Sequence, residues 1–293
     1  MTQPLDESLD EVLFPRKASW RRRLSAWLER EEQHFPNSFL EANVEVITRT
    51  IQDAETGLRM AVNIPADALL SLLDEGRYRN AYERPRVGGE ERAPSETRRR
   101  VDTLLGFGAD ARHYYFGAVM LGGTGVRFYG EYCMVLRSEA VPPSTQVFDR
   151  NCYDLIQPPL EQVADPPRLV ECLRGSWSHN LLDMLVLKCV PALRGTQRLL
   201  TAGTVSEAIL RDEDFVEVHR RDTFGPGELE EVRQGPEETV LAAQLETRMQ
   251  QGSPPTPAEL LWSSRRNLVD RRLMEHSVRT RMVTTSARTQ RWR

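Results

Sequence analysis

The chain has 293 residues, 40% of them apolar and 28% charged, with a formal net charge of −4. That profile is ordinary for a soluble globular protein, with room for one large domain or two modest ones. No run approaches the roughly 18 apolar residues of a membrane span. The acidic start, Met1 to Glu7, is not a secretory signal, and the composition predicts a cytoplasmic protein or an effector exported without an N-terminal mark.

Residues Ser19 to Gln33 predict an amphipathic helix with Trp20, Leu24, Trp27 and Leu28 on one face, docked on the domain rather than on a membrane. A second helix is predicted over Ser38 to Asp53. Leu58 to Ile64 alternates apolar residues with Arg59, Ala61 and Asn63, which predicts a strand with one polar face. Pro65 opens a short helix that Gly76 closes. Arg84 to Pro94 is rich in Pro, Gly and charge and is expected to be an exposed loop. Ser95 caps a helix running to Leu105.

The densest aromatic and β-branched stretch lies between Arg112 and Leu155, where three strands are expected. The first runs from Arg112 to Leu121 and the second from Val126 to Arg137. Between them Gly122-Gly-Thr-Gly125 is expected to form a hairpin turn rather than a phosphate cradle, because no helix follows it. Pro142 and Pro143 precede the third strand, Ser144 to Phe148, and the polar segment that follows, Asp149 to Asp154, is either a turn or part of a site.

Helices are expected over Pro166 to Leu173, over His179 to Val190, and from the capping box at Thr204 to Leu210. Asp214 to His219 is expected to be a strand with Val216 and Val218 on one face and Glu217 and His219 on the other. A turn at Gly225-Pro-Gly227 leads to a short helix over Glu228 to Val232. Two further helices follow, one opened by Pro236 and one by the capping box Thr256-Pro-Ala-Glu259. Val278 to Thr284 is a last strand, and Trp262 and Trp292 tie the tail down. Grouped strands favour an α+β fold: a split, mostly antiparallel sheet, flanking helices and a helical C-terminal extension. The corresponding division is 1–55, a helical segment; 56–235, the core; and 236–293, the arginine-rich extension.

Charge is unevenly spread. Only Lys17 and Lys188 are lysines. From Pro254 onward nine arginines face Glu259, Asp270 and Glu275, a balance of +6, whereas Thr201 to Gln251 carries −7. The two regions can attract one another within the fold. The alternative is a nucleic-acid-binding tail using Arg265, Arg266, Arg271 and Arg272.

Few residues suggest chemistry. The four cysteines, at 133, 152, 172 and 189, form no C-x-x-C and are expected to be buried thiols rather than a zinc ribbon or disulfide scaffold. No two of the five histidines pair at i,i+4, and G-x-S-x-G is absent. The best pair is Glu217 and His219, two residues apart on one strand face. From pattern alone a solvent-facing strand with ordinary polar residues is the better explanation of the pair.

The succession Asp74 to Glu83, Leu105-Gly106, Tyr115 to Ala118, Tyr129 to Arg137 and Phe215 to His219 resembles a bacterial family of ADP-ribosyltransferase-like domains. The resemblance spans about 58–232 and lies in order and punctuation. It implies a two-sheet fold gripping NAD, the ADP-ribose donor, and transferring ADP-ribose to a protein or nucleic-acid acceptor. By the same resemblance Arg59 would hold the phosphates, Tyr115 or Tyr129 would stack near the nicotinamide, and Glu217, with His219 beside it, would be catalytic. The chain departs from the family in lacking a Ser-Thr-Ser triplet and a Glu or Gln two residues before Glu217. That leaves either a catalyst without its usual neighbour or a scaffold without catalysis, which would be a non-enzymatic interaction protein or a nucleic-acid-binding regulator.

Overall fold

The computed structural model describes residues 20–34, 39–53, 57–83, 94–193, 196–211 and 214–283. The protein is α+β. Its main sheet has eight strands: β1 (Arg59–Ile64), β2 (Tyr114–Met120), β3 (Tyr132–Leu136), β4 (Gln146–Phe148), β5 (Arg174–Ser176), β8 (Glu217–Arg221), β9 (Leu229–Gln234) and β10 (Arg279–Met282). Their order is β10-β9-β3-β1-β2-β8-β4-β5. Neighbours are antiparallel except β9 and β10, which are parallel. β6 (Leu210–Arg211) and β7 (Asp214–Phe215) make a separate two-stranded ribbon.

Both faces of the central strands are covered. Met60, Val62 and Ile64 of β1, with Val119, Met134, Val147 and Val218, form one apolar face. Against it pack the helices α1 (Trp20–His34), α2 (Leu40–Gln52), α3 (Ala66–Glu75), α6 (Leu181–Lys188) and α8 (Ala202–Ile209). The opposite face is divided. Ala61, Ala118, Met120, Cys133 and Val135 pack with Phe215. Farther along the sheet, Phe148 packs beneath α4 (Glu96–Leu104) and α5 (Pro166–Leu173). β1 therefore departs from the expected half-polar strand. Ala61 and Asn63 are buried, because β1 is central and has cover on both sides.

Local signals are obeyed where they are strongest. Ser95 Oγ accepts from Arg98 N at 3.1 Å to open α4. Gly76 closes α3 at φ 73°. Thr256 and Glu259 form the expected capping box of α10 (Pro257–Glu275). α9 (Pro236–Gln250) opens with proline at its start. All four cysteines are free; Cys172 is only partly buried.

Four expectations need correction. Gly122 to Gly125 is not a hairpin turn, because β2 and β3 do not pair; β1 lies between them. Met120 at the end of β2 opposes Arg59, and Tyr132 at the start of β3 opposes Ile64. The connection therefore travels the length of β1 over one sheet face. It includes a 3₁₀ turn, Arg127–Tyr129, where a strand was expected. Asn63 pins it by donating from Nδ2 to the carbonyls of Thr124 at 2.9 Å and Gly130 at 3.1 Å. Gly125 lies at φ 66°, where a Cβ would fall 2.0 Å from Asn63 Oδ1.

Second, Glu228 to Val232 is not a helix; Leu229–Gln234 is β9, paired with β3. Third, α8 begins at Ala202 with Thr201 as its cap, three residues earlier than the box at Thr204. Fourth, Glu217 and His219 are buried, not solvent-facing. The expected loop at Arg84 to Pro94 lies, but for Pro94, outside the described residues, as does Trp292.

The C-terminal arginines are largely engaged. Arg265 and Arg272 of α10 reach Asp67 and Asp74 of α3 at 3.2 and 3.1 Å. Arg279 of β10 bonds buried Glu231 of β9 at 2.6 Å, and Arg233 bonds the same carboxylate at 2.6 Å. The acidic and basic regions thus meet at the sheet edge. No described helix is long and apolar enough to cross a membrane.

Burial would raise the Glu231 carboxyl, but the hydrogen bonds and charges of Arg233 and Arg279 outweigh it and hold its pKa below the usual range. A depressed folded-state pKa stabilises fully above the unfolded value of about 4.3 and is lost as pH falls through the folded value. Lowering pH below about 4 should therefore release β10 first. Amide exchange at Thr280 and Met282 should accelerate before exchange at Val62. Glu231→Gln should cost about 3 kcal/mol at neutral pH and much less in acid, as read by urea unfolding at both pH values.

Candidate functional site

β8 is inserted between β2 and β4. Its register sets Glu217 opposite Ala118 and Phe148, and His219 opposite Phe116 and Gln146. The two-residue period turns Val216 and Val218 into the main core and sends Glu217 and His219 to the other face. On that face a polar cluster assembles from three separate parts of the chain.

The first part is β8 itself. The second is the 3₁₀ segment Cys152–Ile156, opened by Asn151, whose side chain accepts from Tyr153 N at 3.1 Å. That cap aims the Cys152 N–H at Glu217, to which it donates at 2.6 Å on Oε2. The third is α4, where Arg98 and Asp102 stand one turn apart and form a buried two-pronged ion pair. Tyr82 Oη also bonds Asp102. The Arg98 guanidinium lies 3.7 Å from the Phe116 ring centre, and its Nη1 lies 3.7 Å from Cys152 Sγ.

These groups border a cavity of about 220 Å³. Its wall includes Asn63 and Gly117 on the sheet, Tyr82 and Arg98 on one side, Tyr129 and Tyr153 on another, and Glu217 at its floor. Gly117 contributes only backbone to this wall: a Cβ there would point to the main-core face and meet Ala61 O at 2.6 Å and Met60 Cε at 2.9 Å. The pinned connection between β2 and β3 supplies Val126 and Tyr129, so the misread hairpin is one wall of the site.

Burial by itself would push the Glu217 carboxyl up. The interaction with His219, then those with Arg98 and Cys152, outweigh it, and the pKa is held below the ordinary range. Glu217 is therefore a carboxylate at neutral pH. His219 Nε2 stands 3.5 Å from Glu217 Oε2. Neither ring nitrogen of His219 has a hydrogen-bond partner within normal distance. Phe107, Phe116 and Phe148 surround the imidazole, with ring centres at 5.4, 5.0 and 5.9 Å. Burial, then Glu217, raises the Cys152 thiol well above its usual pKa, so it is protonated.

Of the residues singled out in the sequence, the fold brings Glu217, His219 and Tyr129 together. Glu217 and Tyr129 line the cavity; His219 lies behind Glu217. Arg59 begins β1 and bonds Glu230 at 2.5 Å, away from the cavity wall. Tyr115 points to the opposite face of β2, where it donates to Glu83 at 2.9 Å and packs on Tyr78 and Phe224. Sequence reading missed Arg98, Asp102 and Tyr82, and saw Cys152 and Tyr153 only as members of a polar segment, a turn or part of a site. The i,i+4 spacing of Arg98 and Asp102 beside apolar Val101 was the available signal.

Arg98→Ala should leave the Asp102 carboxylate buried with only Tyr82 as a partner. The expected loss is about 3–5 kcal/mol, measured as a lower urea midpoint with an unchanged slope. No protein family, curated protein or solved structure matches this chain.

Proposed function

We propose that the protein is an ADP-ribosyltransferase-like enzyme that cleaves NAD and passes ADP-ribose to a protein or nucleic-acid acceptor. The observation that carries this reading is a buried, ionised carboxylate, Glu217, facing an aromatic-walled cavity.

Breaking the bond between nicotinamide and ribose moves positive charge from the ring nitrogen onto the ribose carbon. A fixed negative group beside that carbon stabilises the oxocarbenium-like transition state more than the ground state. Glu217 is held for that task by the Cys152 N–H, so little reorganisation is needed as charge develops. Tyr129 and Tyr153 offer aromatic rings to a cationic nicotinamide. A volume of about 220 Å³ is below that of sites enclosing whole drug-sized ligands. It suits the nicotinamide and its ribose, with the adenine half outside. The acceptor's nucleophile attacks the ribose carbon as nicotinamide departs. Arg98 is matched by Asp102 and sets the cavity's shape more than its charge.

A binding-protein reading draws on one observation: Val240, Leu241, Met249, Leu260 and Leu261 on α9 and α10 are exposed. It predicts tight stoichiometric association that NAD does not affect.

Folded wild-type protein should release nicotinamide from NAD, with water or an acceptor taking the ADP-ribose. Glu217→Gln should lower the rate about 10²–10³-fold, a loss of about 2.7–4 kcal/mol of transition-state stabilisation, while NAD affinity measured calorimetrically changes little. Nicotinamide release that persists in Glu217→Gln would remove the reading, as would a silent wild type that binds no NAD.

A further inference from the structure

Cys152, Glu217 and His219 each offer a donor atom, and the three atoms lie within 4.8 Å of one another. Among the described residues it is the one such trio of potential metal ligands. All three side chains are buried. The second observation is independent of the clustering: His219 is 1% exposed and neither ring nitrogen has a hydrogen-bond partner. Buried polar atoms are normally paired, and leaving one unpaired costs about 1–3 kcal/mol. A metal ion would give one of the two ring nitrogens a partner in place.

We propose that Cys152, Glu217 and His219 bind one thiophilic divalent cation of the zinc class, and that its binding takes Glu217 away from the reacting ligand. The second half rests on the NAD-cleaving role proposed for Glu217; the metal site does not.

The geometry is close to what the ion requires. Metal–ligand bonds of about 2.0–2.3 Å in a tetrahedron set the ligand atoms roughly 3.3–3.6 Å apart. Glu217 Oε2 and His219 Nε2 are already 3.5 Å apart. The remaining donor atoms lie within 4.8 Å of one another, so only a small side-chain adjustment brings them to the bonded spacing. A sulfur, nitrogen and oxygen donor set favours zinc over magnesium or calcium, which prefer oxygen alone. Three protein ligands leave a fourth position, and Glu217 on the cavity wall directs it inward, where water can fill it.

Charge also balances. Binding breaks the Cys152 S–H bond, forms a metal–sulfur bond and sends the proton to solvent. A dication with one thiolate, one carboxylate and a neutral imidazole is neutral overall. Arg98 does not block the site, because Asp102 matches its charge. With Nη1 at 3.7 Å from Sγ, Arg98 is placed to donate to the thiolate from outside the metal's own ligands.

The test uses the full-length chain after chelator treatment, titrated with Zn²⁺ by calorimetry and with Co²⁺ by absorption spectroscopy. The expected result is one equivalent bound, about one proton released and a thiolate-to-cobalt charge-transfer band. Cys152→Ala and His219→Ala should each weaken binding by more than the roughly 10–100-fold cost of losing a supporting residue. Zinc should suppress nicotinamide release, and chelator should restore it. Absent binding, or a cobalt spectrum without a thiolate band, overturns the metal site while leaving the role of Glu217 intact. Binding that survives both substitutions overturns it too, because the ion then sits elsewhere. Undiminished nicotinamide release by the zinc-loaded protein overturns the regulatory half. One-to-one binding by a protein that cleaves no NAD supports the metal site and counts only against the NAD reading.

Discussion

An ionised carboxylate inside a protein is held only at the expense of many kcal/mol unless donors and opposite charge surround it. Glu217 meets that condition through groups that share no sequence neighbourhood. Its own strand brings His219, the 3₁₀ turn brings the Cys152 N–H, and α4 brings Arg98. Displacing any one element leaves a buried negative charge short of a partner. The arrangement of β8, the turn after β4 and α4 is therefore set by this one group as much as by apolar packing.

The sheet gives this constraint its shape. One face is a continuous apolar core under helices. The other carries small residues beside polar ones: Ala61 and Ala118 next to Asn63 and Glu217. Small side chains in the middle of the sheet leave room above it. The connection from β2 to β3 and the helix α4 roof that room at different heights, which is how a cavity survives over a central strand. Arg98 serves twice. It neutralises Asp102, and it lays its guanidinium on Phe116 at the boundary between the apolar and polar parts of that face.

Where the sequence could be read correctly, the information was local. Caps at Ser95 and Thr256, the glycine after α3 and the alternation of β1 each depend on a few adjacent residues. β9 was misread because Leu229 and Val232 are three apart, a helical spacing. Its extended form is imposed by pairing with β3, nearly a hundred residues earlier. The glycine cluster at 122–125 suggested a two-strand turn because nothing local says that β1 will lie between its flanks. The site followed the same division. Alternation put Glu217 and His219 on one face, but their burial comes from Arg98 and Cys152, which no pattern around residue 217 reveals. Tyr115 was placed with the site because aromatics on adjacent positions of one strand look alike in sequence, although the pleat sends them to opposite sides.

The pairing order has a consequence for how the molecule is made. β1 has both of its neighbours once residue 136 exists, but β4 and β5 join the sheet only through β8, which begins at Glu217. A chain still emerging from the ribosome therefore holds an incomplete sheet whose β2 edge is open until Glu217 to Arg221 have been synthesised. The floor of the cavity arrives with that same strand. Nascent protein thus has no carboxylate in position and no enclosed space to work with, so any chemistry the finished molecule performs is switched on by completion of the fold itself.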